Sequence, residues 1–451
     1  MTGILHKPKK HIIQLNPAHI LVLGFLCFIL TGTLLLMLPI STQAGHQLGF
    51  IDALFEATSA VCVTGLSVVD TGSTFTVFGQ IVLLTLIQFG GWGFMTSGVL
   101  MFLILGKKIG YKERLVLKES INSLSLHGII KMVQQIILIT LVTEAIGAIV
   151  LAIRWSYEMP LPKAIYYGIF HSISAFNNSG FGLEPNNLSK WVGDPVVNFM
   201  ITTLIITGGL GFTVIIDIYK KRSLRKLSVH SKIALIGTLF LNVLSLFVIL
   251  GLEYHNPNTL GPLPLGDKLW ASYFQGVTTR TAGFNTIDLS QLSLSSQFFM
   301  IGLMFIGASS GGTGGGIKIT TAFLLLLSIW AIIKNKDNIH VFKRSIPRNL
   351  VNRAIAIVIT SILFIFIIVF LLTITEQGAE FSKILFETVS AFGTVGLTAG
   401  LTPDLTPIGR ILITIMMFIG RLGPLTMAFT LGMVGANHSK IRYAEEKILI
   451  G

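Results

Sequence analysis

One short pattern occurs four times along this chain of 451 residues and constrains the fold more than any other feature. Each copy has an aromatic residue, then small and hydroxyl-bearing residues, then a glycine followed by Leu or Phe. The copies occupy residues 54–66, 169–181, 273–284 and 385–397. Their glycines lie 115, 103 and 113 positions apart, at Gly65, Gly180, Gly283 and Gly396. Recurrence at a nearly fixed period predicts four related units, whose patterned loops we expect to meet on one axis.

The composition is that of a membrane protein. The chain is 52% hydrophobic and only 12% charged, whereas soluble domains carry roughly 25% charged residues. Its two cysteines, Cys27 and Cys62, form no pattern typical of a disulfide framework. The first apolar stretch, residues 18–38, follows a basic start but is longer than the roughly 7–15-residue core of a cleaved signal peptide. We therefore expect an uncleaved first helix.

Eight apolar stretches are long enough for a membrane crossing, which takes roughly 20 helical residues. They are residues 18–38, 75–105, 132–153, 196–219, 233–252, 297–333, 354–375 and 408–434. The second stretch could tilt or break at its glycines. The sixth should break at its glycine-rich segment, residues 307–316, because each glycine costs about 1 kcal/mol in a helix. One copy of the pattern separates the members of each pair, which predicts an all-α integral membrane protein of four helix–pore loop–helix repeats around a pseudo-fourfold central pore.

Charge placement predicts the orientation of these repeats. Their expected bounds are 1–17 for a cytoplasmic N-terminal segment, 18–106, 107–220, 221–334 and 335–434 for the repeats, and 435–451 for a cytoplasmic C-terminal tail. The termini and the segments between repeats hold 24 of the 33 basic residues, as short cytoplasmic loops do. Membrane topology thus accounts for the net charge of +13, and nucleic-acid binding is not expected. Acidic residues collect on the opposite face, where an acidic outer mouth would concentrate cations.

Four glycine-ended loops at membrane depth predict a cation filter. A cation that sheds its water needs oxygen ligands, and backbone carbonyls supply them without net charge. Glycine adopts angles that let successive carbonyls face one axis, and each pore helix aims its partly negative C-terminal end at the ion path. One such glycine would more often simply end a helix, but four in register favour a filter. The predicted filter residues are Val63, Thr64, Gly65, Asn178, Ser179, Gly180, Thr281, Ala282, Gly283, Thr394, Val395 and Gly396.

A second fourfold set of small residues begins 24 to 28 positions beyond the filter glycines. In the first two copies, 90–94 and 208–212, close helix packing is an open alternative to a functional role. The third copy is the glycine-rich segment, with Lys318 just after it. The fourth contains Arg421 at membrane depth, where a charge costs at least about 2.5–3.5 kcal/mol. We therefore expect Arg421 to face the pore or a polar neighbour, and favour a role as a pore gate or charge barrier.

Three ionisable residues beside the pattern are expected to brace the filter loops rather than touch the ion. Glu56 and Glu387 occupy matching places in the first and fourth pore helices, and Arg280 adjoins the third loop. The sequence assigns no role to Glu144, inside the third apolar stretch. The chain has no metal-ligand spacing, catalytic triad pattern or phosphate-binding loop, so it is expected to be no enzyme and to bind no nucleotide itself.

These motifs resemble the Trk, Ktr and HKT superfamily of potassium transporters, and most closely the Ktr membrane subunit of the KtrB and KtrD type. The resemblance covers essentially the whole chain and is carried by residues 64–66, 177–181, 280–284, 394–397 and 418–424. It implies a bacterial plasma-membrane protein that takes up K⁺, with Na⁺ as an activator. It also implies a homodimer with one pore in each protomer, seated on a cytosolic ring of RCK-type regulatory subunits that bind ATP or ADP.

The resemblance further implies an intramembrane gate below the filter. Its residues would be Gly307, Ala308, Ser309, Ser310, Gly311, Gly312, Thr313, Gly314, Gly315, Gly316, Lys318 and Arg421. In plant relatives, serine in place of the first filter glycine accompanies sodium selectivity, so Gly65 favours potassium.

Other functions stay open: a less selective Na⁺/K⁺ pathway, a cation-coupled secondary carrier, or a purely structural scaffold. A carrier would more often show inverted repeats, whereas all four units here run the same way. A scaffold would not need four glycine-ended loops.

Overall fold

The computed structural model describes residues 17–93, 96, 129–335 and 339–431. The predicted N-terminal segment up to residue 16, most of the basic segment between the first two repeats, and the predicted tail lie outside these ranges. Within them the regular secondary structure is helical apart from one antiparallel hairpin, in which Ile339–Val341 pairs with Arg344–Ile346. The predicted all-α class is confirmed.

Three kinds of helix recur in the same order four times, and we number them by repeat. Outer helices 1 to 4 are Pro17–Leu36, Ile129–Trp155, Val229–Glu253 and Arg348–Thr375. Pore helices 1 to 4 are Phe50–Cys62, Leu161–Phe176, Leu265–Thr278 and Phe381–Gly393. Inner helices 1 to 4 are Val77–Trp92, Pro195–Leu210, Leu294–Phe305 and Pro407–Leu422. Further helices follow inner helices 2, 3 and 4: Phe212–Lys221, Ile319–Ile333 and Pro424–Leu431. Shorter helical turns are Thr71–Thr74, Ser189–Trp191, Leu224–Lys226, Leu289–Gln291 and Thr402–Asp404.

The pore helices form the interior, and the outer helices form the rim. The aromatic residue of each sequence pattern is fully buried: Phe55, Phe170, Phe274 and Phe386. Outer helices instead expose large apolar side chains such as Leu34, Phe240 and Phe366. Exposure of so large an apolar surface to water would be unfavourable, so this rim is suited to contact membrane lipid.

More of the inner helices are interrupted than the sequence predicts. The four outer helices are long and apolar enough to cross a membrane, and inner helix 2 with its continuation counts as a fifth only if this pair, bent by 92°, is one broken span rather than a re-entrant loop. The break predicted at residues 307–316 is present, because inner helix 3 ends at Phe305 and the next helix begins at Ile319. Breaks in the fourth and eighth apolar stretches were not predicted, yet they occur at Gly211 and Gly423, both with φ of +90°. Inner helix 1 likewise ends before Gly93, at φ +80°. Such left-handed angles cannot continue a right-handed helix.

The four repeats close into a ring. Inner helix 1 packs against pore helix 2, inner helix 2 against pore helix 3, and inner helix 3 against pore helix 4. Inner helix 4 completes the circuit by packing against pore helix 1. An ion pair of 2.5 Å between Arg410 and Asp52 holds this last contact, and Arg410 also donates to the carbonyl oxygens of Leu405 and Pro403. The ends of the chain are thus brought together around one central axis.

Candidate ion pathway

The four patterned loops share one unusual backbone conformation. In each loop a residue of positive φ precedes the glycine by two positions, and the glycine has positive φ as well. The residues are Val63, Asn178, Thr281 and Thr394, with φ of 56°, 61°, 71° and 47°. Three of them are β-branched, for which this region is strained. Strain that recurs at matching places is typical of a functional site held by its surroundings.

The four glycines stand against one another in a circle. A Cβ built on Gly65 would lie 2.2 Å from the carbonyl oxygen of Ser179, and one on Gly180 would lie 2.7 Å from the Cα of Gly283. A Cβ on Gly283 would lie 2.7 Å from the carbonyl oxygen of Val395.

A Cβ on Gly396 would in turn lie 2.1 Å from the carbonyl oxygen of Thr64, which closes the circle. At these four glycines each repeat therefore meets the next through backbone atoms. Only glycine fits at all four places, because any side chain would collide with the neighbouring loop.

Each loop folds back onto the end of its own pore helix. The backbone N–H groups of Thr64, Ser179 and Val395 donate to carbonyl oxygens five residues earlier, at 2.8, 2.8 and 2.9 Å. Hydroxyl groups at the same helical position add further hydrogen bonds. Ser174 Oγ donates to the carbonyl oxygen of Phe181 at 2.7 Å, and Thr278 Oγ1 donates to that of Phe284 at 2.6 Å. These bonds offset the strain of the left-handed residues.

Glu56 and Glu387 hold the segments that leave the filter. Glu56 Oε1 accepts from Ser67 Oγ and from the Val68 N–H, both at 2.8 Å. Glu387 accepts from the Thr398 and Thr402 hydroxyls and from the backbone N–H groups of Ala399 and Leu401. Both carboxyl groups are fully buried. Each carboxyl group thus joins its pore helix to the chain beyond the loop, and the bracing of a filter stays a prediction.

The same position in the other two pore helices holds His171 and Gln275, which the sequence analysis did not assign to the filter. Each follows the buried aromatic residue of its repeat, as Glu56 and Glu387 do, and each is fully buried. Gln275 Nε2 lies 3.5 Å from Thr286 Oγ1, beyond the third loop. Their position directly after the aromatic residue of the repeat is the sequence signal that identifies His171 and Gln275.

Glu144, which the sequence left without a role, lies behind the second filter loop. Its Oε1 accepts from Asn177 Nδ2 at 2.9 Å, and the same nitrogen lies 3.0 Å from Gln88 Oε1 on inner helix 1. Asn178 then joins the second loop to the third, because its side-chain amide is hydrogen-bonded to Thr281 Oγ1 at 3.1 Å. Side chains therefore link the loops from outside the ring.

The glycine-rich segment lies directly against the filter and the inner-helix breaks. Its residues Ser309 and Thr313 donate backbone N–H groups to the carbonyl oxygens of Gly209 and Gly208, at 2.9 and 3.2 Å. The Gly315 N–H donates to Thr394 Oγ1 at 2.9 Å. A Cβ built on Gly314 would lie 2.0 Å from Thr281 Oγ1. The segment thus touches two filter threonines and closes against inner helix 2.

Two cationic side chains in this layer donate hydrogen bonds to backbone carbonyl oxygens. Arg421 donates to the carbonyl oxygens of Thr313 and Gly90, and Gly91 O lies 3.5 Å from Nη2. Lys318 Nζ donates to the carbonyl oxygen of Gly314 at 2.5 Å. Arg421 therefore ties inner helix 4 to both the glycine-rich segment and inner helix 1. The first two copies of the small-residue set thus supply carbonyl acceptors as well as close packing.

Arg280 behaves differently from the other predicted residues. Its side chain is 7% exposed, and in the part of the chain that the structure describes it makes no hydrogen bond or ion pair. It borders a small cavity beside the third pore helix. No contact there supports the predicted role in bracing the loop.

Three acids of the predicted acidic face accept hydrogen bonds that hold helix ends together. Glu253 accepts from the N–H and hydroxyl of Ser293, at 3.0 and 2.7 Å, and Glu376 accepts from Thr406 in the same way, at 3.0 and 2.6 Å. Asp194 caps inner helix 2. Carboxylates at helix N-termini satisfy otherwise unpaired N–H groups, so these acids stabilise the fold rather than form an open acidic mouth.

Known proteins resemble this chain along almost its whole length. Residues 6–435 match the TrkH family, described as cation transport protein. Ktr system potassium uptake protein B of Bacillus subtilis is 49% identical over 439 residues, covering 97% of this chain and 98% of the relative. The protein of the same name from Vibrio alginolyticus is 41% identical, covering 100% and 98%. Potassium/sodium uptake protein NtpJ of Enterococcus hirae is 39% identical, covering 97% and 98%.

A solved structure has the same fold. The potassium transporter TrkH of Vibrio parahaemolyticus is 20% identical, with a TM-score of 0.74 over 94% of this chain and 87% of that one. This similarity agrees with the predicted four-repeat, pseudo-fourfold architecture of a multi-pass membrane protein. On the family match and the identities to three relatives, this chain belongs to the TrkH family of cation transport proteins.

Proposed function

We propose that this chain takes up potassium across the bacterial plasma membrane by selective permeation of dehydrated K⁺ through the four-loop filter. The observation that carries the proposal is the closed circle of four positive-φ glycines. Such a circle can present uncharged carbonyl oxygens to an ion on one axis, which suits a monovalent cation. The names of three relatives refer to potassium uptake and support the choice of ion.

A less selective Na⁺/K⁺ pathway is the second candidate. One observation favours it, namely that the relative from Enterococcus hirae is named a potassium/sodium uptake protein. Gly65 in the first loop favours potassium on the analogy with plant relatives. A role for Na⁺ as an activator is compatible with either candidate.

The gate in this proposal consists of the glycine-rich segment with Lys318 and Arg421. The segment's contacts with Thr281 and Thr394 support a position beneath the filter. The bonds of Arg421 to Thr313 and Gly90 would favour the closed arrangement, because they would be lost if the segment moved away. Opening would then require that the carbonyl oxygens find other donors, such as water.

We further propose the assembly that the resemblance implies. The chain would form a homodimer in the plasma membrane, with both termini cytoplasmic and the repeat bounds as predicted. Two relatives are named as parts of a Ktr system, which supports association with a regulatory component. That component would be a cytosolic RCK-type ring that binds ATP or ADP, so that nucleotide control would not require a site on this chain.

The deciding experiment measures K⁺, Rb⁺ and Na⁺ flux into liposomes that contain only the purified chain. Gly65→Ser should weaken selectivity for K⁺ and Rb⁺ over Na⁺, because the new Cβ would collide with the Ser179 carbonyl oxygen. Gly45→Ser is the matched control: Gly45 has the same φ of +92°, but nothing lies within 4 Å of its Cβ position.

Each outcome of this experiment distinguishes the candidates. Selective K⁺ and Rb⁺ flux that Gly65→Ser weakens and Gly45→Ser spares would support the potassium filter. Sodium flux equal to potassium flux would favour the less selective pathway. Absence of cation flux, with Arg421→Gln also inactive, would refute the transport proposal.

A further inference from the structure

A short basic segment lies between the helix that follows inner helix 2 and the start of outer helix 3. We call it the basic turn and define it as residues 218–226, which contain five Lys and Arg residues and no acid. Asp217, just before it, is already engaged by an ion pair of 2.8 Å with Lys221 and by the Ser228 N–H at 2.9 Å. The other four basic side chains are exposed and make no ion pair with any described residue. The basic turn therefore carries positive charge that the described chain does not balance.

The basic turn also exposes apolar side chains among its charges. Tyr219 is 70% exposed and Leu224 is 73% exposed. The Arg222 guanidinium lies 5.8 Å from the centre of the Tyr219 ring, so the charge and the ring form one combined surface. Exposed Tyr and Leu beside Lys and Arg are typical of segments that lie at the boundary between lipid headgroups and acyl chains.

Contacts with outer helix 3 place the basic turn at the edge of the membrane. Outer helix 3 is long and apolar enough to cross a membrane, and it begins at Val229, just after the basic turn. Asp217 accepts from the Ser231 hydroxyl at 2.7 Å, and Lys232 donates to the Arg225 carbonyl oxygen at 2.8 Å. The basic turn is therefore fixed to the end of a membrane-crossing helix.

The bend at Gly211 gives the same position from the other side. Inner helix 2 has 16 residues, so it covers about 24 Å of the roughly 30 Å thickness of the hydrocarbon. The next helix, Phe212–Lys221, is turned by 92° from it. A helix set perpendicular to inner helix 2, near the end of that crossing, runs along the membrane surface and ends in the headgroup region.

We propose that the basic turn binds anionic phospholipid headgroups. Arg222, Arg225 and Lys226 would contact the phosphate groups, while Tyr219 and Leu224 would reach into the acyl-chain boundary. Each Lys or Arg near an anionic membrane surface strengthens the attraction about fivefold, so a cluster of them selects anionic over neutral lipid. A protein partner would need an acidic face of matching shape, whereas lipid already adjoins outer helix 3. Binding does not depend on the proposed transport function.

The helix Phe212–Lys221 connects the basic turn to the glycine-rich segment. The Phe212 N–H donates to the Gly311 carbonyl oxygen at 3.0 Å, and a Cβ on Gly211 would lie 2.8 Å from the carbonyl oxygen of Ser310. A headgroup that holds the basic turn at the membrane surface should therefore also favour the arrangement in which the segment stays in place. This consequence, unlike binding itself, rests on the proposed function.

The first test measures the Tm of the purified full-length chain in detergent as phosphatidylglycerol or phosphatidylcholine is added. Phosphatidylglycerol should raise Tm saturably and phosphatidylcholine should not, because a ligand that binds the folded state stabilises it. A triple variant with Arg222→Gln, Arg225→Gln and Lys226→Gln should need at least about tenfold more phosphatidylglycerol for half of the rise. All three side chains are exposed, so the variant should fold.

A matched control removes the same amount of charge elsewhere. Lys334→Gln, Lys343→Gln and Arg344→Gln together remove three exposed basic side chains that precede outer helix 4. This control should respond to phosphatidylglycerol as the unmodified chain does. Equal weakening in both triple variants would assign the effect to net charge, and an equal Tm rise with inorganic phosphate would assign it to a free anion; either result would overturn the site. Equal responses of all three proteins would also overturn it and would leave the basic turn to a protein partner, such as the proposed regulatory ring.

A spin label at residue 224 locates the basic turn directly. Leu224→Cys would be labelled in a Cys27→Ser background, because Cys27 is exposed and Cys62 is buried. In liposomes that contain phosphatidylglycerol, the label should be more accessible to oxygen, which dissolves in lipid, than to a water-soluble nickel complex. Higher accessibility to the nickel complex would place the side chain in water and overturn the site.

Rubidium flux tests the coupling to the gate separately. Phosphatidylglycerol in the liposomes should lower flux through the unmodified chain and the matched control, relative to flux through the basic-turn variant. If the lipid binds but the three proteins respond alike in flux, the coupling is wrong and the site stands. If none of them transports rubidium, the proposed function fails while the thermal and spin-label results still decide the site.

Discussion

Two regions of the molecule are each built from four related segments: the predicted filter ring and the layer of inner-helix breaks beneath it. The four repeats contribute alike to the first region and differently to the second. In the filter every repeat contributes the same pair of positive-φ positions. In the layer below, repeat 3 contributes a long segment, repeat 4 contributes Arg421, and repeats 1 and 2 contribute carbonyl oxygens. Symmetry suits ligands that must face one ion equally. Asymmetry suits a gate, which needs one moving part and fixed partners.

The largest effect should come from a substitution at one of the four glycines of the predicted filter ring. Gly396→Ala would force a side chain into a residue at φ +86°, with its Cβ 2.1 Å from the Thr64 carbonyl oxygen. We expect at least a tenfold loss of K⁺-over-Na⁺ selectivity or of total flux in liposomes. Gly378→Ala is the control, because Gly378 has φ of +98° but nothing within 4 Å. It should cost only about 1–2 kcal/mol of backbone strain. Equal behaviour of the two variants would contradict the ring.

The next effect should come from the asymmetric region. Arg421→Gln removes charged hydrogen bonds worth about 1.5–3 kcal/mol each, so rubidium flux should rise roughly tenfold or more while selectivity is kept. Arg410→Gln provides the control. Arg410 lies on the same helix and also donates to two carbonyl oxygens, but it lies at the opposite end of that helix, paired with Asp52. Unchanged flux in Arg421→Gln at equal protein would refute a closing role for this arginine.

A smaller effect should follow from loosening a brace of the filter. Glu387→Gln replaces one of two accepting oxygens by a donor and leaves hydroxyl or N–H groups unpaired. We expect about 1–3 kcal/mol of lost stability, measured as a lower Tm, with a modest loss of selectivity. Glu380→Gln serves for comparison, since the Glu380 side chain is 69% exposed and, among the described residues, pairs with Lys383 alone, at 3.5 Å. If both substitutions lower Tm alike, the brace is unimportant.

The smallest effect should come from removing the hydrogen bond between the Gly315 N–H and Thr394 Oγ1, which joins the glycine-rich segment to the fourth loop. Thr394→Val removes the acceptor of the Gly315 N–H, which is worth about 0.5–1.5 kcal/mol, and should raise rubidium flux a few-fold. Thr394→Ser keeps the hydroxyl and should retain the original flux. A rise in Thr394→Ser equal to that in Thr394→Val would assign the effect to packing rather than to this hydrogen bond.

The symmetric region is also the part that sequence reasoning predicts well. Four glycines in register are visible without a structure, because the strained backbone admits no other residue. The outer helices follow from their apolar length, which membrane crossing requires. Glu56 and Glu387 were recognisable as a matching pair because their place in the repeat is the same.

The asymmetric region was less predictable because its interactions depend on distant partners. The breaks at Gly211 and Gly423 look like helix-packing glycines until φ is known. Acids such as Glu253 and Glu376 look like a charged mouth, whereas each binds the start of an inner helix about thirty to forty residues later. Nothing in the sequence separates Arg421, whose side chain is hydrogen-bonded, from Arg280, whose side chain has no partner among the residues that the structure describes.

The pairing of Asp52 with Arg410 spans 358 positions of the chain, and Gly396 meets Thr64 over a similar separation. Contacts between such distant residues form late in folding, since the intervening chain must first be in place. A nascent chain that has inserted three repeats therefore has an open ring and too few loops to coordinate a bare ion. If the four loops form the proposed filter, biosynthesis gains a safeguard from this arrangement: the membrane acquires a conducting path only after the last repeat has been made.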